Sequence, residues 1–423
     1  MRIKRKIKKA ALLLLASCIA AGSIQVAEAH HHRNDSMTVV TRDKALKSDT
    51  ENVNRTDPKA QPDKGPLPVA EVGHAKNGAE MEQVMHMWPV VSKDTGGTLI
   101  FSDSPEYVQE DGILYEDTVS GDARVLFYHL NNTSEQKKVA VMLQNEGDAP
   151  VIIKVTRGGL SDPNEDYLAV GKRTQIEYFA RNVYDVMYVR SHGKRLLRRE
   201  MNEKIVEPGQ LTYGVFDFNA SKPVKVSVIM YPADMSPYEF MDRARVLPKD
   251  EQRLRGTFKG MDRVISSTRV YDPDKDGAVY FPIGDNLQDL YRTGIDATDG
   301  SKVTDFGNYG VLYKIEIPTT GKSFVKYYLS PLGGVYAGAM TASQPGEQGC
   351  LLLTPHGKPF FGDETPPETE EEQRSRENGT SAISGNTELA DLGTYQNGRQ
   401  VSFEYSPPGA SNLPVNIIMM PSR

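Results

Sequence analysis

The chain has 423 residues, and its 56 acidic side chains outnumber its 50 Lys and Arg, which gives a formal net charge of −6 at pH 7. An acidic chain is unsuited to nucleic-acid binding, which needs clustered positive charge against the phosphates. Two cysteines exclude a disulfide-rich scaffold, so hydrophobic cores must hold the fold. The length predicts more than one domain.

Residues 1–29 have the layout of a secretory signal peptide. Six basic residues lie within the first nine positions, an apolar run follows from Ala10 to Ala21, and Ala27-Glu28-Ala29 supplies a small-x-small cleavage site. The apolar run is too short for a permanent bilayer-spanning helix, and no second run of spanning length follows. We therefore expect an exported protein without a transmembrane span. Losing six basic residues and Glu28 would leave a mature chain from His30 with a net charge of −11.

A lipid anchor is the alternative to this cleavage. Leu15-Ala16-Ser17-Cys18 resembles a bacterial lipobox, in which the cysteine becomes a lipid-bearing N-terminus. Lipidation at Cys18 would hold the protein at a membrane, whereas cleavage after Ala29 would release it. Both routes predict an extracellular or envelope-associated protein, and the sequence leaves the choice open.

Residues 30–97 are rich in Asp, Lys, Asn, Thr and Pro and contain few large apolar side chains. Such a segment buries too little apolar surface to offset the entropy lost on ordering. It is predicted to be a disordered tether, with a marginal helix near residues 80–87. Regular structure is expected to begin near Thr98.

From residue 98 the sequence is typical of a β-protein. Strand-length runs of β-branched and aromatic residues recur between Asn-, Gly- and Pro-containing breaks, at 99–102, 124–130, 138–144, 151–156, 186–189, 210–218 and 224–231. The cap-like Ser161-Asp162-Pro163-Asn164 precedes a helix predicted from Tyr167 to Phe179. Residues 98–235 are therefore predicted to form an antiparallel β-sandwich with an inserted helix.

A second, related sandwich is predicted over residues 257–421. Residues 397–421 repeat the order of residue types in 208–232, and 311–314 are similar to 125–128, which indicates duplication of one domain. Ser236-Pro237-Tyr238-Glu239 begins a helix predicted to reach about Val246, within a connector over 236–256. An acidic stretch, 363–379, is predicted to be a solvated loop. The expected fold class is mainly β, with two tandem Ig-like sandwiches and one or two short helices.

A candidate calcium loop lies in the second half. Asp272, Asp274 and Asp276 alternate before Gly277, a spacing that lets a tight loop wrap oxygen ligands around Ca²⁺. Ile283 stands where a helix-loop-helix calcium site needs Glu, so that type of site is not expected. The alternative is a charged hairpin turn, because turns also favour Asp, Pro and Gly.

Two further features point to surface binding, each with a plain structural alternative. Residues 194–199, Lys-Arg-Leu-Leu-Arg-Arg, would contact an anionic polymer or lipid headgroups, or form a solvated hairpin balanced by Glu200 and Glu203. The second half is rich in tyrosine, whose rings would stack on sugars if exposed and pack across strands if buried. These tyrosines are Tyr271, Tyr280, Tyr291, Tyr309, Tyr313, Tyr327, Tyr328 and Tyr336.

Enzyme signatures such as G-x-S-x-G, H-E-x-x-H, a Walker loop or the Rossmann glycine pattern are absent from the sequence. Residues 101–108, 112–115, 124–131 and 166–172 resemble secreted Gram-positive proteins of the Bacillus and Paenibacillus type, labelled as copper amine oxidase N-terminal-like or stalk domains. The resemblance implies an extracellular, wall-associated module. It does not imply oxidase chemistry, because Gly310 follows Asn308-Tyr309 and His356 is the one histidine downstream.

These observations favour a non-enzymatic binding or structural protein of the cell envelope, with a cell-wall polymer or glycan as partner. The alternative is a carbohydrate-active enzyme or carbohydrate-binding module that uses the tyrosine-rich second half. No catalytic residue is assigned, and Ca²⁺ is the one candidate cofactor.

Overall fold

A computed structural model describes residues 69–70, 84–180, 183–332, 335–354, 360–361, 380–382 and 389–422. These residues belong to one compact unit, Leu67–Arg423. The predicted signal peptide, the alternative lipidation site Cys18 and the predicted loop 363–379 lie outside the described residues.

Most described residues are in β-strands. In chain order the strands are β1 Val69–Ala70, β2 Val84–Met87, β3 Val91–Thr95, β4 Thr98–Ser102, β5 Tyr107–Val108, β6 Gly112–Asn131, β7 Lys137–Gln144, β8 Val151–Leu160, β9 Asp185–Val189, β10 Lys194–Leu196, β11 Leu211–Pro232, β12 Arg255–Lys259, β13 Asp262–Ser266, β14 Val279–Ile283, β15 Arg292–Ile295, β16 Lys302–Asp305, β17 Leu312–Glu316, β18 Phe324–Pro331, β19 Val335–Tyr336, β20 Gly338–Ser343, β21 Cys350–Thr354, β22 Phe360–Phe361, β23 Thr380–Ala382, β24 Ala390–Tyr395, β25 Ser402–Tyr405 and β26 Val415–Ser422.

Within the described residues these strands form four sheets. The largest has eleven strands, in the order β10-β7-β11-β6-β4-β12-β15-β16, with β5 beside β6 and the pair β8–β9 beside β11. A seven-stranded sheet has the order β1-β21-β20-β25-β17-β13-β3, a six-stranded sheet the order β23-β2-β14-β26-β18-β24, and β19 pairs with β22. The predicted mainly β, sandwich-like fold is confirmed.

A long antiparallel pair, β6 with β11, forms the centre of the largest sheet. It runs from Leu130 opposite Leu211 to Gly112 opposite Met230, with an irregularity in register between Ala220 and Val224. The two separate strands predicted at 210–218 and 224–231 are therefore one strand that contains a bulge. β4 lies parallel to β6 on the other side, so this sheet is mixed.

The largest sheet is buried on both faces where β4 and β6 meet. Phe101 and Leu126 pack into one hydrophobic core, whereas Ile100 and Phe127 pack into a second. Alternate residues of a strand point to opposite faces, so burial on both faces requires a continuous apolar run instead of an alternating one. That requirement explains the unbroken run Val125-Leu126-Phe127-Tyr128.

The sheet and the first core continue across the predicted connector. β12 pairs antiparallel with β4, with Arg255 opposite Ser102. The first core collects side chains from Trp88 to Met419. The division of residues 98–421 into two sandwich domains stays a prediction that scanning calorimetry can test.

Order begins earlier than the predicted boundary at Thr98. Val84–Met87 is a strand instead of a marginal helix, and it lies parallel to β14. β3 pairs antiparallel with β13, and Trp88 is buried. Pairing with strands that come about 170 to 190 residues later stabilises this segment, which its own composition does not predict.

The described helices are α1 Tyr167–Ala180, α2 Pro237–Met241, α3 Pro273–Asp276 and a 3₁₀-helix, Arg199–Asn202. None of them is long and apolar enough to cross a bilayer. The predicted helix from Tyr167 is confirmed, but its cap is Asp166, whose carboxylate accepts the Ala169 N–H at 3.1 Å. The Ser161–Asn164 segment that was expected to cap it lies before the helix, without helical structure.

Helix α2 is shorter than predicted. It ends at Met241 and not near Val246, and the Ser236 side chain makes no capping hydrogen bond. The chain beyond it pairs with β6 instead, because Ile113 N–H donates to the Arg245 carbonyl and Leu247 N–H donates to the Ile113 carbonyl, both at 2.8 Å.

Candidate binding groove

A polar cavity of about 760 Å³ lies beside the β10 edge of the largest sheet. We call it the basic groove. Its volume is within the range of ligand-binding clefts. Its walls come from β9, β10, the 3₁₀-helix and α2, and the lining residues are Asp185, Met187, 194–200, Glu203 and Tyr238.

Two buried leucines hold the basic segment in place. β10 pairs antiparallel with β7, with Leu196 opposite Met142, and Leu196 and Leu197 are both buried in the second core. Met201 anchors the following 3₁₀-helix in the same core. The leucines face inward, and the Lys and Arg side chains that flank them line the cavity.

The cations of the groove differ in their partners. Lys194 pairs with Asp242 at 2.5 Å, and Arg198 pairs with Asp185 and Glu200, both at 3.2 Å. Arg195 donates to the Tyr188 carbonyl at 3.3 Å. Within the described part of the chain, neither Arg195 nor Arg199 has a carboxylate partner, so both guanidinium groups retain donors for a ligand.

One exposed tyrosine belongs to the groove. Tyr238 lines it with 43% of its surface exposed. A tyrosine ring offers a flat apolar face to a sugar ring and a hydroxyl at its edge. The groove thus combines two cations that have no carboxylate partner among the described residues with one exposed aromatic ring, and the sequence pattern indicated the cations but not Tyr238.

The tyrosines singled out in the sequence occupy a different environment. Six of the eight are buried: Tyr271, Tyr280, Tyr313, Tyr327, Tyr328 and Tyr336. Tyr291 and Tyr309 are half-buried. Tyr327, for example, packs against Phe403 and Tyr395. These six rings contribute to hydrophobic cores and present no sugar-stacking face.

The three aspartates of the candidate calcium loop are engaged by protein donors. Asp272 caps α3 by accepting the Asp274 N–H at 3.1 Å, Asp276 forms an ion pair with Arg269, and Asp274 accepts from the Ser323 hydroxyl. The described residues hold no group of three or more His, Cys, Asp or Glu arranged to bind a metal ion. Calcium binding here stays a prediction, testable by thermal unfolding in EGTA and in millimolar Ca²⁺.

A buried Ser–His pair was not expected from the sequence. Ser102 Oγ lies 2.9 Å from His129 Nε2, and His129 Nδ1 lies 2.9 Å from the Pro105 carbonyl oxygen. Since a carbonyl only accepts, Nδ1 carries the proton and Nε2 accepts from the serine hydroxyl. Both residues have no exposed surface, and burial lowers the pKa of His129 to about 4. A substrate cannot reach this pair. Its hydrogen bond joins β4 to β6, so the role of the pair is structural.

No family model and no curated protein matches the chain. Solved structures with some likeness include the CUB1-EGF-CUB2 domains of rat MASP-1, at 8% identity over 76% of this chain and 99% of that chain, with a TM-score of 0.17. A Paenibacillus xanthan lyase is 9% identical over 85% of this chain and 27% of that chain, with a TM-score of 0.14. An 11S globulin from Wrightia tinctoria is 9% identical over 84% and 87%, with a TM-score of 0.11. TM-scores this low support no conclusion about fold or function.

Proposed function

We propose that this chain is an exported, non-enzymatic protein of the cell envelope that binds an anionic glycopolymer in the basic groove. The observation that carries the proposal is the pair Arg195 and Arg199, which have no carboxylate partner among the described residues and line a 760 Å³ cavity beside Tyr238. Guanidinium groups bind phosphate and carboxylate oxygens through paired N–H donors. Tyrosine adds contact with the sugar ring.

The charge pattern favours a polymer with spaced negative groups. Asp185, Glu200 and Glu203 lie among the groove cations, and the whole chain is acidic. A ligand with dense, continuous negative charge would meet these carboxylates, and long-range repulsion would slow its approach. A glycopolymer with one phosphate or carboxylate per repeat can place its charges on the cations alone.

Binding of purified protein to defined polymers tests the proposal. We expect binding to glucosylated poly(glycerol phosphate) or to polygalacturonate, and no binding to neutral dextran, in calorimetry at low salt. The double variant Arg195→Gln/Arg199→Gln should weaken binding about tenfold, because two charge-assisted contacts contribute roughly 1.4 kcal/mol together. Higher salt should weaken binding of the unaltered protein.

The matched control removes two other cations from the largest sheet. Lys259 and Lys302 are exposed in β12 and β16, so Lys259→Gln/Lys302→Gln changes the net charge equally away from the groove. Equal weakening by both double variants, or equal binding to dextran, would contradict a specific groove.

Export is tested separately by sequencing the N-terminus of the protein recovered from cells and medium. A start at His30 would support cleavage after Ala29, whereas a lipid-modified Cys18 would support the anchored alternative. An intact Met1 on all of the protein would contradict export.

A further inference from the structure

A second polar cluster lies where β4 ends beside β6, apart from the basic groove. In the parallel register Ser102 lies opposite Phe127, so Asp103 follows β4 beside Tyr128. Strand alternation places both side chains on the face that carries Phe101 and Leu126. Glu106 lies in the turn that follows, and its carbonyl accepts the Leu130 N–H at 2.8 Å.

Three side chains of this cluster have acceptor atoms without a donor. In the described part of the chain, neither the Asp103 nor the Glu106 carboxylate accepts a hydrogen bond, and Asp103 Oδ1 is buried. Among the described residues the Tyr128 hydroxyl likewise has no hydrogen-bond partner, and it is buried in a residue that is 6% exposed. A buried polar atom without a partner costs about 1–3 kcal/mol. Such atoms are rare in folded proteins, where a bound water, an ion or a ligand commonly supplies the partner.

The turn that carries Glu106 is held rigidly. Asp250 accepts hydrogen bonds from the Ser104 hydroxyl and from the Glu106 N–H, both at 2.8 Å. No Lys or Arg within the described residues forms an ion pair with Asp103 or Glu106. Burial, followed by the neighbouring Asp250, raises the pKa of Glu106 to about 7. Burial and the neighbouring Glu106 raise the pKa of Asp103 as well.

A second tyrosine ring and a glycine backbone lie against Tyr128. A Cβ on Gly409 would lie 3.1 Å from the rings of Tyr128 and Tyr213, so the chain passes directly against them. The half-buried Tyr309 donates its hydroxyl to the Ser411 carbonyl at 2.5 Å, which fixes its ring beside the same segment. The site therefore joins partly buried negative charge to aromatic rings, the combination that binds organic cations.

We propose that Asp103, Glu106 and Tyr128 form a binding site for a primary ammonium group of a small organic ligand. Its three N–H donors equal the three acceptor groups in number, and its single charge offsets one of the two carboxylate charges. A metal ion is a poorer match, because the described residues contain no group of three or more His, Cys, Asp or Glu placed to hold one.

Thermal unfolding of the whole protein at pH 8 tests the site with a defined probe. Ethanolammonium chloride should raise the melting temperature above the value in NaCl of equal ionic strength, because a ligand of the native state stabilises it by mass action. Tetramethylammonium chloride, which has no N–H donor, should have the effect of NaCl. Equal effects of all three salts would overturn the proposal.

Variants locate the effect. Glu106→Gln and Tyr128→Phe should each abolish the extra rise in melting temperature, and Tyr128→Phe keeps the packed ring. Asp148→Asn, at a side chain with 99% exposure, should retain the rise. Persistence of the full rise in Glu106→Gln, whose half-buried position tolerates the change, would overturn the proposal even if the tyrosine variant fails to fold.

Calorimetry of ethanolammonium binding adds an independent readout. The ammonium group binds ionised carboxylates, so the affinity should fall when the pH is lowered from 8 to 5.5, with proton release on binding. The titratable or charged groups that face the site are Asp103, Glu106, Asp250, Asp305, Tyr107, Tyr128, Tyr167, Tyr213 and Tyr309. Equal affinity at both pH values would contradict carboxylate binding.

Discussion

Single buried charges join parts of the chain that are far apart in sequence. Arg124, in β6, is 1% exposed and bonds through Nε and Nη2 to the two oxygens of Asp217, at 2.6 and 2.9 Å. Its guanidinium also reaches Asp262 at 3.0 Å and the carbonyl oxygens of Met261 and Gly310. All five of its N–H donors face acceptors in strands or turns, so this side chain fixes how β6 meets β13 and the turn before β17.

Arg124→Met should destabilise the protein by about 3–5 kcal/mol, because it leaves Asp217 buried without its cation and Asp262 with only Lys314, at 3.8 Å. Urea unfolding measures the change. Arg245→Gln is the control, since the Arg245–Glu110 pair is exposed and contributes at most about 1 kcal/mol. Similar small changes in both variants would contradict a structural role for the buried cation.

His129 should make stability depend on pH. Its pKa is about 4 in the folded protein and about 6.5 when unfolded, so the unfolded state binds more protons between these values. Stability should therefore fall as the pH drops from 6.5 to 4, by about 3 kcal/mol in total. Urea unfolding at pH 7 and pH 4.5 of the protein and of His129→Asn should show a shallower pH dependence in the variant.

The raised pKa values of Glu106, about 7, and Asp305, about 8, act in the opposite direction in both proteins. Their carboxyl groups bind protons in the folded state first, so they favour folding as the pH falls. Both proteins share this contribution, so it cancels when the pH dependence of the unfolding free energy of His129→Asn is subtracted from that of the unaltered protein. Parallel pH profiles would exclude a buried neutral histidine.

At the scale of elements, helix α1 is placed by close backbone contact. It packs on β8, β11, β20 and β21, and a Cβ on Gly171 would lie 1.9 Å from the Gly409 carbonyl oxygen. A glycine inside a helix costs roughly 1 kcal/mol relative to alanine. Glycine is needed at position 171 because the backbone at Gly409 leaves no space for a side chain there. The same backbone at Gly409 lies against the Tyr128 ring.

Gly171→Ala should therefore destabilise the protein by about 1–3 kcal/mol through overpacking, although the helix alone would gain from alanine. The control is Gly147→Ala, where the added Cβ would have one ordinary contact at 3.4 Å. Chemical unfolding of both variants decides the matter, and a stabilised Gly171→Ala would refute the close approach.

At the scale of the whole molecule, strands distant in sequence share sheets and cores. β4 of the first half pairs with β12 of the second, and Arg157 forms an ion pair with Glu404 at 2.7 Å. The Gln175 side chain donates to the Ser406 carbonyl at 2.5 Å. Separating residues 98–235 from 257–421 would break all of these contacts.

Scanning calorimetry should therefore show one cooperative unfolding transition for residues 67–423, with equal calorimetric and van't Hoff enthalpies. Two resolved transitions, or an isolated 257–423 fragment with native-like stability, would instead support the two independent sandwiches predicted from the sequence. The Arg124→Met variant should move the whole transition.

The sequence by itself determined the local character of the chain. The β-branched and aromatic runs predicted most strands of the first half, and the helix from Tyr167 was placed to within a residue at each end, because both depend on neighbours in the chain. The basic residues of the groove were also visible, since Lys194 to Arg199 are contiguous.

The tertiary structure decided which of these residues act together. Composition alone marked 84–97 as tether, but pairing with β13 and β14 orders it. Helix α2 places the exposed Tyr238 in the same groove as Arg195. The parallel register of β4 and β6 places Asp103 beside Tyr128, with Glu106 in the following turn, and no local sequence pattern predicts that register. Partners of this kind are far apart along the chain, so their contacts depend on the whole sheet, and periodicity, propensity and spacing report only on near neighbours.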